Sequence, residues 1–326
     1  MRVLRSAVTG VGGFLPEQIV SNEDFTRMVD TSDAWIVERT GIRQRHRIDP
    51  GMKTSDMAAA AARIALEAAG KTAADVDMVI VATTTPDMPF PSTASIVQHK
   101  LGAPTCPAFD VQAVCSGFVY ALSVADGFVA RGLAKCVLVI GAEAMTQLLD
   151  YSDRGTCILF GDGAGAVVLE PVEGEGTKAD RGILGFDLRC DGSKVDLLYV
   201  SGGTFEDDNR IGKIRMVGNQ VFKHAVQKIS EAVEAAVKKS NLTIADIDWF
   251  IPHQANQRIL NGVAERLGLD ETKVISTVAL HANTSAASIP LAWYTGVKDG
   301  RVKAGDLVLI EALGGGLTWG AAAIRL

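Results

Sequence analysis

Residues 54–84 read TSDMAAAAARIALEAAGKTAADVDMVIVATT, and the pattern returns at 221–256 as VFKHAVQKISEAVEAAVKKSNLTIADIDWFIPHQAN. In both, a helical run passes through a short acidic turn, AADVD or TIADID, into an apolar strand. The second helix carries a stripe of Phe222, Ala225, Val226, Ile229, Val233, Ala236 and Val237, the 3.6-residue period of a helix with one buried face. The match continues downstream. IVQHKLG leads to a strand, Cys115, a helix and KCVLVIGAE, while GVAERLG leads to VISTVALHANTSAASIPLAWYTG and DLVLIEALGGG. Each copy closes on a small-residue strand, GDGAGAVVLEP or TWGAAAIRL. Helices alternating with nearly continuous apolar, β-branched strands indicate parallel sheets covered on both faces.

The duplication predicts an α/β fold of two halves in a five-layer α/β/α/β/α arrangement. The halves are 1–171 and 219–326, the charged, Gly-rich segment 172–218 connects them, and about 22–53 is an insertion in the first. A pseudo-twofold of this kind places the active site where corresponding loops meet. It sets the loop of Cys115 opposite HANTSAAS.

A chain of 326 residues is long enough for two core-forming units. With 48% hydrophobic and 21% charged residues, 33 Gly and only 6% aromatics, it reads as globular and closely packed through small side chains. A net charge of -6 argues against a general nucleic-acid or acidic-membrane binder. Cys106, Cys115, Cys136, Cys157 and Cys190 include no CxxC pair, which points away from a disulfide framework or a metal site and toward a reducing cytoplasm. The N-terminal MRVLRSAVTGVGGFLPEQ lacks a sustained apolar run and a small-residue cleavage site, so it reads as a first strand and turn with no signal peptide. No stretch reaches the roughly 18 apolar residues of a membrane span.

Cys115 falls between a strand-like run and a helix-like run with small neighbours, Ser116 and Gly117. A thiol at a helix N-terminus is a candidate nucleophile, because the free N–H groups and the helix dipole favour thiolate. Taken alone it also fits a buried core thiol. His253 ends the strand DWFIPH, and strand ends are where ligands bind in α/β sheets; by itself it also fits a structural histidine. Asn283 suits a helix N-cap, and His281 in the same loop is a competing candidate. Gly314, Gly315 and Gly316 permit close backbone approach and can aim an N–H at an oxyanion, or simply form a tight turn. FGDGAGA at 160–166 has the look of a phosphate loop, but its glycines precede a strand, which excludes a dinucleotide fingerprint.

Cys115 in AVCSGF, His253 in IPHQAN and Asn283 in HANTSAAS resemble the Cys-His-Asn set of the β-ketoacyl-acyl-carrier-protein synthase III enzymes, which initiate bacterial fatty-acid synthesis on the thiolase fold. DTSDAWIVERTGIRQRH, DRGTCILFGDGAGAVVL and GGGLTWG extend the resemblance over essentially the whole chain. Elongating relatives use Cys-His-His, and thiolases carry a second cysteine where this chain has GGG.

The resemblance implies an acyltransferase. A short acyl-coenzyme A, acetyl-coenzyme A first among them, would load Cys115, and malonyl-acyl-carrier protein would then condense with it, with no permanently bound cofactor and no metal. Cys115 and Gly315 backbone N–H groups would hold one oxyanion, and His253 and Asn283 the other. Trp35, Arg39, Arg154 and Asn219 would contact coenzyme A, with Trp35 stacking on adenine. Phe90, across a homodimer interface, and Met145 would wall the acyl pocket. Lys223, Arg258 and Arg266 would dock the acidic carrier protein, although Glu265 sits beside Arg266 where some relatives carry two basic residues. A papain-like protease shares Cys, His and Asn, but its CG[SA]C[WY] signature is absent and it has no place for the duplication. A noncatalytic partner subunit typically loses the cysteine that this chain keeps. A secondary-metabolite synthase with a longer starter remains open, since pocket size is a three-dimensional property.

Overall fold

The computed structural model describes residues 2–203 and 211–326. Its first part runs β1 (Val3–Phe14), β2 (Gln18–Ser21), α1 (Asn22–Thr26), α2 (Asp33–Thr40), β3 (Gln44–Arg47), α3 (Thr54–Ala68), β4 (Met78–Ala82), α4 (Thr93–Leu101), β5 (Ala108–Val111), α5 (Gly117–Ala130), β6 (Val137–Ala144) and β7 (Asp162–Gly174). The second runs β8 (Gly182–Cys190), β9 (Leu198–Gly202), β10 (Ile211–Met216), α6 (Gly218–Lys239), β11 (Trp249–Pro252), α7 (Gln257–Leu267), α8 (Val278–His281), α9 (Ser288–Lys298), β12 (Leu307–Gly314) and β13 (Thr318–Arg325).

One sheet has the order β1-β7-β6-β4-β5 and the other β11-β12-β13-β8. Read from the opposite edge, the second sheet repeats the first, with β8 for β1, β13 for β7, β12 for β6 and β11 for β4. The segment 172–218, read from sequence as a connection, therefore supplies the edge strand of the second sheet. In these two sheets β4 runs parallel with β5 and β6, and β11 with β12; β7 and β13 pair antiparallel on both sides. The sheets are thus mixed, where sequence periodicity indicated parallel ones. For β13 the reason is local: it follows β12 after a three-residue turn, and so short a connection can join only antiparallel strands.

Helices α3 and α4 cover the outer face of the first sheet, α6 and α7 that of the second, and α5 with α9 form a shared middle layer. The five layers α/β/α/β/α follow from this placement. The alanine run in α3 has a structural purpose. A Cβ on Gly10 or Gly12 of β1 would fall 2.1 Å from Ala65 O or 2.2 Å from Ala61 O, so helix and strand meet backbone to backbone. In the middle layer Trp293, Phe118 and Leu122 are fully buried, each worth about 1.5–3 kcal/mol against exposure. In α6 the stripe holds except at its start: Val221 and Ala232 are buried, while Phe222 and Val226 are only half-buried.

The insertion read as about 22–53 begins earlier: β2 (from Gln18) pairs with β3 as a small ribbon that carries α1 and α2 against this frame. Buried Arg45 fastens it, donating to Asn22 Oδ1 at 2.9 Å and to Ile158 O at 2.7 Å with its guanidinium over Phe25. Burial pulls that guanidinium down to about 10, still charged at neutral pH.

Candidate active site

The N-termini of α5 and α9, related by the duplication, meet in the middle layer. Chain from β5 turns tightly through Val114–Ser116 before α5 begins. Val114 takes a φ of 49°, an uncommon state for a β-branched residue that stores strain in the turn. Ser116 Oγ and Thr318 Oγ1 both donate to Ala113 O, at 2.7 and 2.9 Å, tying the turn to the start of β13. Gly314 completes the fit, since a Cβ there would lie 2.6 Å from Cys115 N. Gly316 has a φ of 132°, so the three glycines serve both close approach and positive φ.

His253 closes the β11 ladder by donating its N–H to Glu311 O at 2.8 Å. Its Nδ1 lies 2.6 Å from Ser288 Oγ on the first turn of α9, which leaves Nε2 as the free ring nitrogen. Asn283 is held at both ends: its N–H donates to Leu159 O at 2.9 Å, and its carbonyl accepts from Gly161 N at 3.0 Å. Its Oδ1 accepts from Ser285 N at 2.9 Å, an Asx turn rather than a helix cap. The amide NH2 is therefore the end left for a ligand.

Cys115, His253 and Asn283 line one cavity of about 580 Å³ together with Trp35, Arg39, Arg154, Asn219 and Arg258. A second cavity of about 410 Å³ also reaches Cys115, and is lined by Met145, Leu148, Phe160, Ile214 and Gly315. The thiol stands where the two meet. Trp35 carries the guanidiniums of Arg39 and Arg154 over its ring, at 4.8 and 5.0 Å. Phe90, in contrast, lines neither cavity and is 84% exposed. His281 belongs to a different cavity, beside Gly13 and Tyr294, and its Nδ1 has no partner among the described residues, so it neither competes with His253 nor supports Asn283. Lys223 and Arg266 are exposed on α6 and α7, and Arg258 stacks over Phe222 at the cavity mouth.

Burial decides the electrostatics. It holds His253 down to about 3, so the imidazole is neutral at pH 7. Burial also pushes the Cys115 thiol up to about 12, with a further small rise from Glu143 and a partial offset from the Ser285 hydroxyl. This burial opposes the thiolate preference read from the helix N-terminus. Glu143 sits in a nest of Thr83, Thr84 and Thr85 donors, and burial raises it nonetheless. Glu311 is raised well above the carboxylate range by burial alone. Sequence reading passed over Ser288, Ser285 and Gln254; the signal for Ser288 was a serine inside HANTSAAS on the first turn of a helix.

Residues 109–192 match the family described as 3-oxoacyl-[acyl-carrier-protein] synthase III, and residues 237–326 match its C-terminal part. The β-ketoacyl-[acyl-carrier-protein] synthase III of Caulobacter vibrioides is 70% identical over 323 residues, covering 99% of this chain and 100% of the relative. The crystal structure of 3-oxoacyl-[acyl-carrier-protein] synthase III from Aquifex aeolicus VF5 is similar at a TM-score of 0.91 and 43% identity, covering 98% of this chain and 100% of that one. A priming β-ketosynthase from the R1128 polyketide biosynthetic pathway is similar at a TM-score of 0.92 and 36% identity, over 98% of this chain and 96% of that one.

Proposed function

Because the chain belongs to the 3-oxoacyl-[acyl-carrier-protein] synthase III family and shares its thiolase-like fold, we propose that it performs the initiating condensation of fatty-acid synthesis through Cys115, His253 and Asn283. Short acyl-coenzyme A and malonyl-acyl-carrier protein are the two substrates. One observation carries this reading: a thiol, a neutral imidazole and an oriented amide, from three separate elements, face one cavity.

In the first half-reaction the Cys115 sulfur attacks the thioester carbonyl. The C–S bond to coenzyme A breaks and the thiol proton leaves on the released coenzyme A. Backbone N–H groups of Cys115 and Gly315 hold the oxyanion meanwhile. In the second, His253 and Asn283 donate to the malonyl thioester oxygen. The carboxylate leaves as carbon dioxide, and the resulting enolate carbon attacks the acyl carbonyl. A carbon–carbon bond forms as the bond to Cys115 breaks, and the released sulfur takes up a proton from solvent to return to the thiol. Removing one donor raises the barrier by about 2.7–4 kcal/mol.

Coenzyme A enters the larger cavity, where adenine takes the place of one guanidinium against Trp35 and the arginines turn to phosphate; Arg39, Arg154 and Asn219 line its path. The acyl chain occupies the smaller cavity beside Met145. Two copies associate along the first sheet: β5 is its edge strand, and the neighbouring loop exposes Met88 and Phe90, an apolar edge of the kind that seeks a partner. Phe90 then reaches the partner's acyl pocket. Lys223, Arg258 and Arg266 receive the acidic carrier protein. All five cysteines are free thiols, which suits the cytoplasm, and no helix of the described residues is long and apolar enough to cross a membrane.

The test incubates the protein with labelled acetyl-, isobutyryl- and octanoyl-coenzyme A, then adds malonyl-acyl-carrier protein. Label on Cys115 followed by a 3-ketoacyl product supports the reading, and the starter preference separates a short primer from a longer one. Absence of label on the wild type, or equal labelling of Cys115→Ser, rejects it.

A further inference from the structure

We infer that Ser288 is a positioning residue that fixes the tautomer of His253, so that Nε2 carries the ring proton and faces the cavity as a hydrogen-bond donor. The inference rests on the reading above and assigns a residue outside the Cys-His-Asn set. His253 is 4% exposed and Ser288 2% exposed, so bulk water cannot substitute for either partner. A neutral imidazole owns a single N–H. Across the 2.6 Å contact between Nδ1 and Ser288 Oγ, either the ring donates to the hydroxyl or the hydroxyl donates to the ring.

The remaining partners of Ser288 Oγ decide between the two. Gln254 N donates to it at 3.4 Å, a long contact that nonetheless supplies only a donor, and the described residues give that oxygen no other side-chain hydrogen bond. If Nδ1 also donated, the serine proton would be buried without an acceptor. If the hydroxyl donates to Nδ1, the serine proton, the Gln254 N–H and the Nδ1 lone pair are all satisfied. An unmade hydrogen bond at a buried hydroxyl biases the two states by roughly one to two decades.

Gln254 cannot move to relieve this. Its Nε2 donates to Pro252 O at 2.7 Å and to Ile275 O at 3.1 Å, and its Oε1 accepts from Thr277 N at 2.7 Å and Val278 N at 3.1 Å. All four side-chain hydrogen bonds are made. Ser285 N meanwhile holds Asn283 Oδ1 at 2.9 Å, turning the amide NH2 outward. Residues 283–288 thus set the polarity of both donors before any substrate arrives.

Nitrogen-15 histidine NMR on the whole enzyme tests this, with His253 assigned by the signal lost in His253→Gln. Wild type should show Nε2 protonated and Nδ1 bare. A wild-type spectrum with Nδ1 protonated overturns the inference without any variant. In Ser288→Ala the spectrum should shift toward the Nδ1–H form. Malonyl-acyl-carrier-protein decarboxylation should fall roughly 10- to 100-fold, acyl transfer from acetyl-coenzyme A should fall much less, and Ser288→Thr should restore most of the loss. An unchanged tautomer, an unchanged decarboxylation rate, or an equal loss in both half-reactions refutes the role. A wild type that binds no acyl group and decarboxylates nothing instead rejects the function, and leaves the NMR result to judge the tautomer alone.

Discussion

The resting state of Cys115 sets two physical effects against each other, and their sizes differ enough to measure. Moving the thiol from 9.0 to about 12 disfavours the thiolate by about 4 kcal/mol. A helix N-terminus returns about 0.3–1 kcal/mol, and about 2 at most in partly buried geometry. On these magnitudes desolvation prevails, and the resting group at pH 7 should be the neutral thiol. The assay is the rate of alkylation by iodoacetamide without substrate between pH 6 and 9.5, read by mass spectrometry on the Cys115 peptide. The rate should climb about tenfold per pH unit across the window without levelling, because thiolate is the reacting form. A plateau that begins below pH 8 would show that the helix end dominates and would refute the reasoning. The first half-reaction should share the slope wherever attack limits its rate.

Acidification should destabilise the protein through its buried histidines. His253 is held to about 3 and His281 to about 4 against 6.5 when unfolded, so below pH 6.5 the unfolded chain takes up protons that the folded chain does not. From pH 6.5 to 4.5 His253 alone should remove about 2 kcal/mol; urea midpoints of His253→Gln should fall less steeply with acid than those of wild type, and parallel lines would disprove the assignment. Burial raises Glu311 well above its ordinary value, so stability should fall as pH rises toward that raised value, and the fall should be smaller in Glu311→Gln; identical pH slopes in urea midpoints would refute the shift. Gly12→Ala drives a Cβ to 2.2 Å from Ala61 O, with only backbone to yield, and should cost about 1–3 kcal/mol; a melting temperature within one degree of wild type contradicts that packing. Lys223→Glu with Arg266→Glu should raise the KM for malonyl-acyl-carrier protein, most at low salt, while leaving acetyl transfer from coenzyme A intact; an unchanged KM removes them from the dock.

What the sequence determined by itself is what repeats along it. The helix–turn–strand pattern at 54–84 and 221–256 prescribed two alike halves, because hydrophobic period and small-residue runs are local properties of the chain. The family's ordered motifs named Cys115, His253 and Asn283. Tertiary structure decided how these groups behave. Strand direction at β13 depended on the three-residue connection after β12, and β8 joined the second sheet from a segment that read as a linker. The helix end at Cys115 and a buried thiol were both legible as readings, but that one residue combines them, with burial opposing the helix end, was not. His281 and His253 look alike in one dimension; only the fold sends them to different cavities. Ser288 gains its meaning from standing 2.6 Å from His253 across 35 residues of chain, a juxtaposition that local pattern cannot encode because desolvation and hydrogen-bond geometry are set by whatever the rest of the chain brings near.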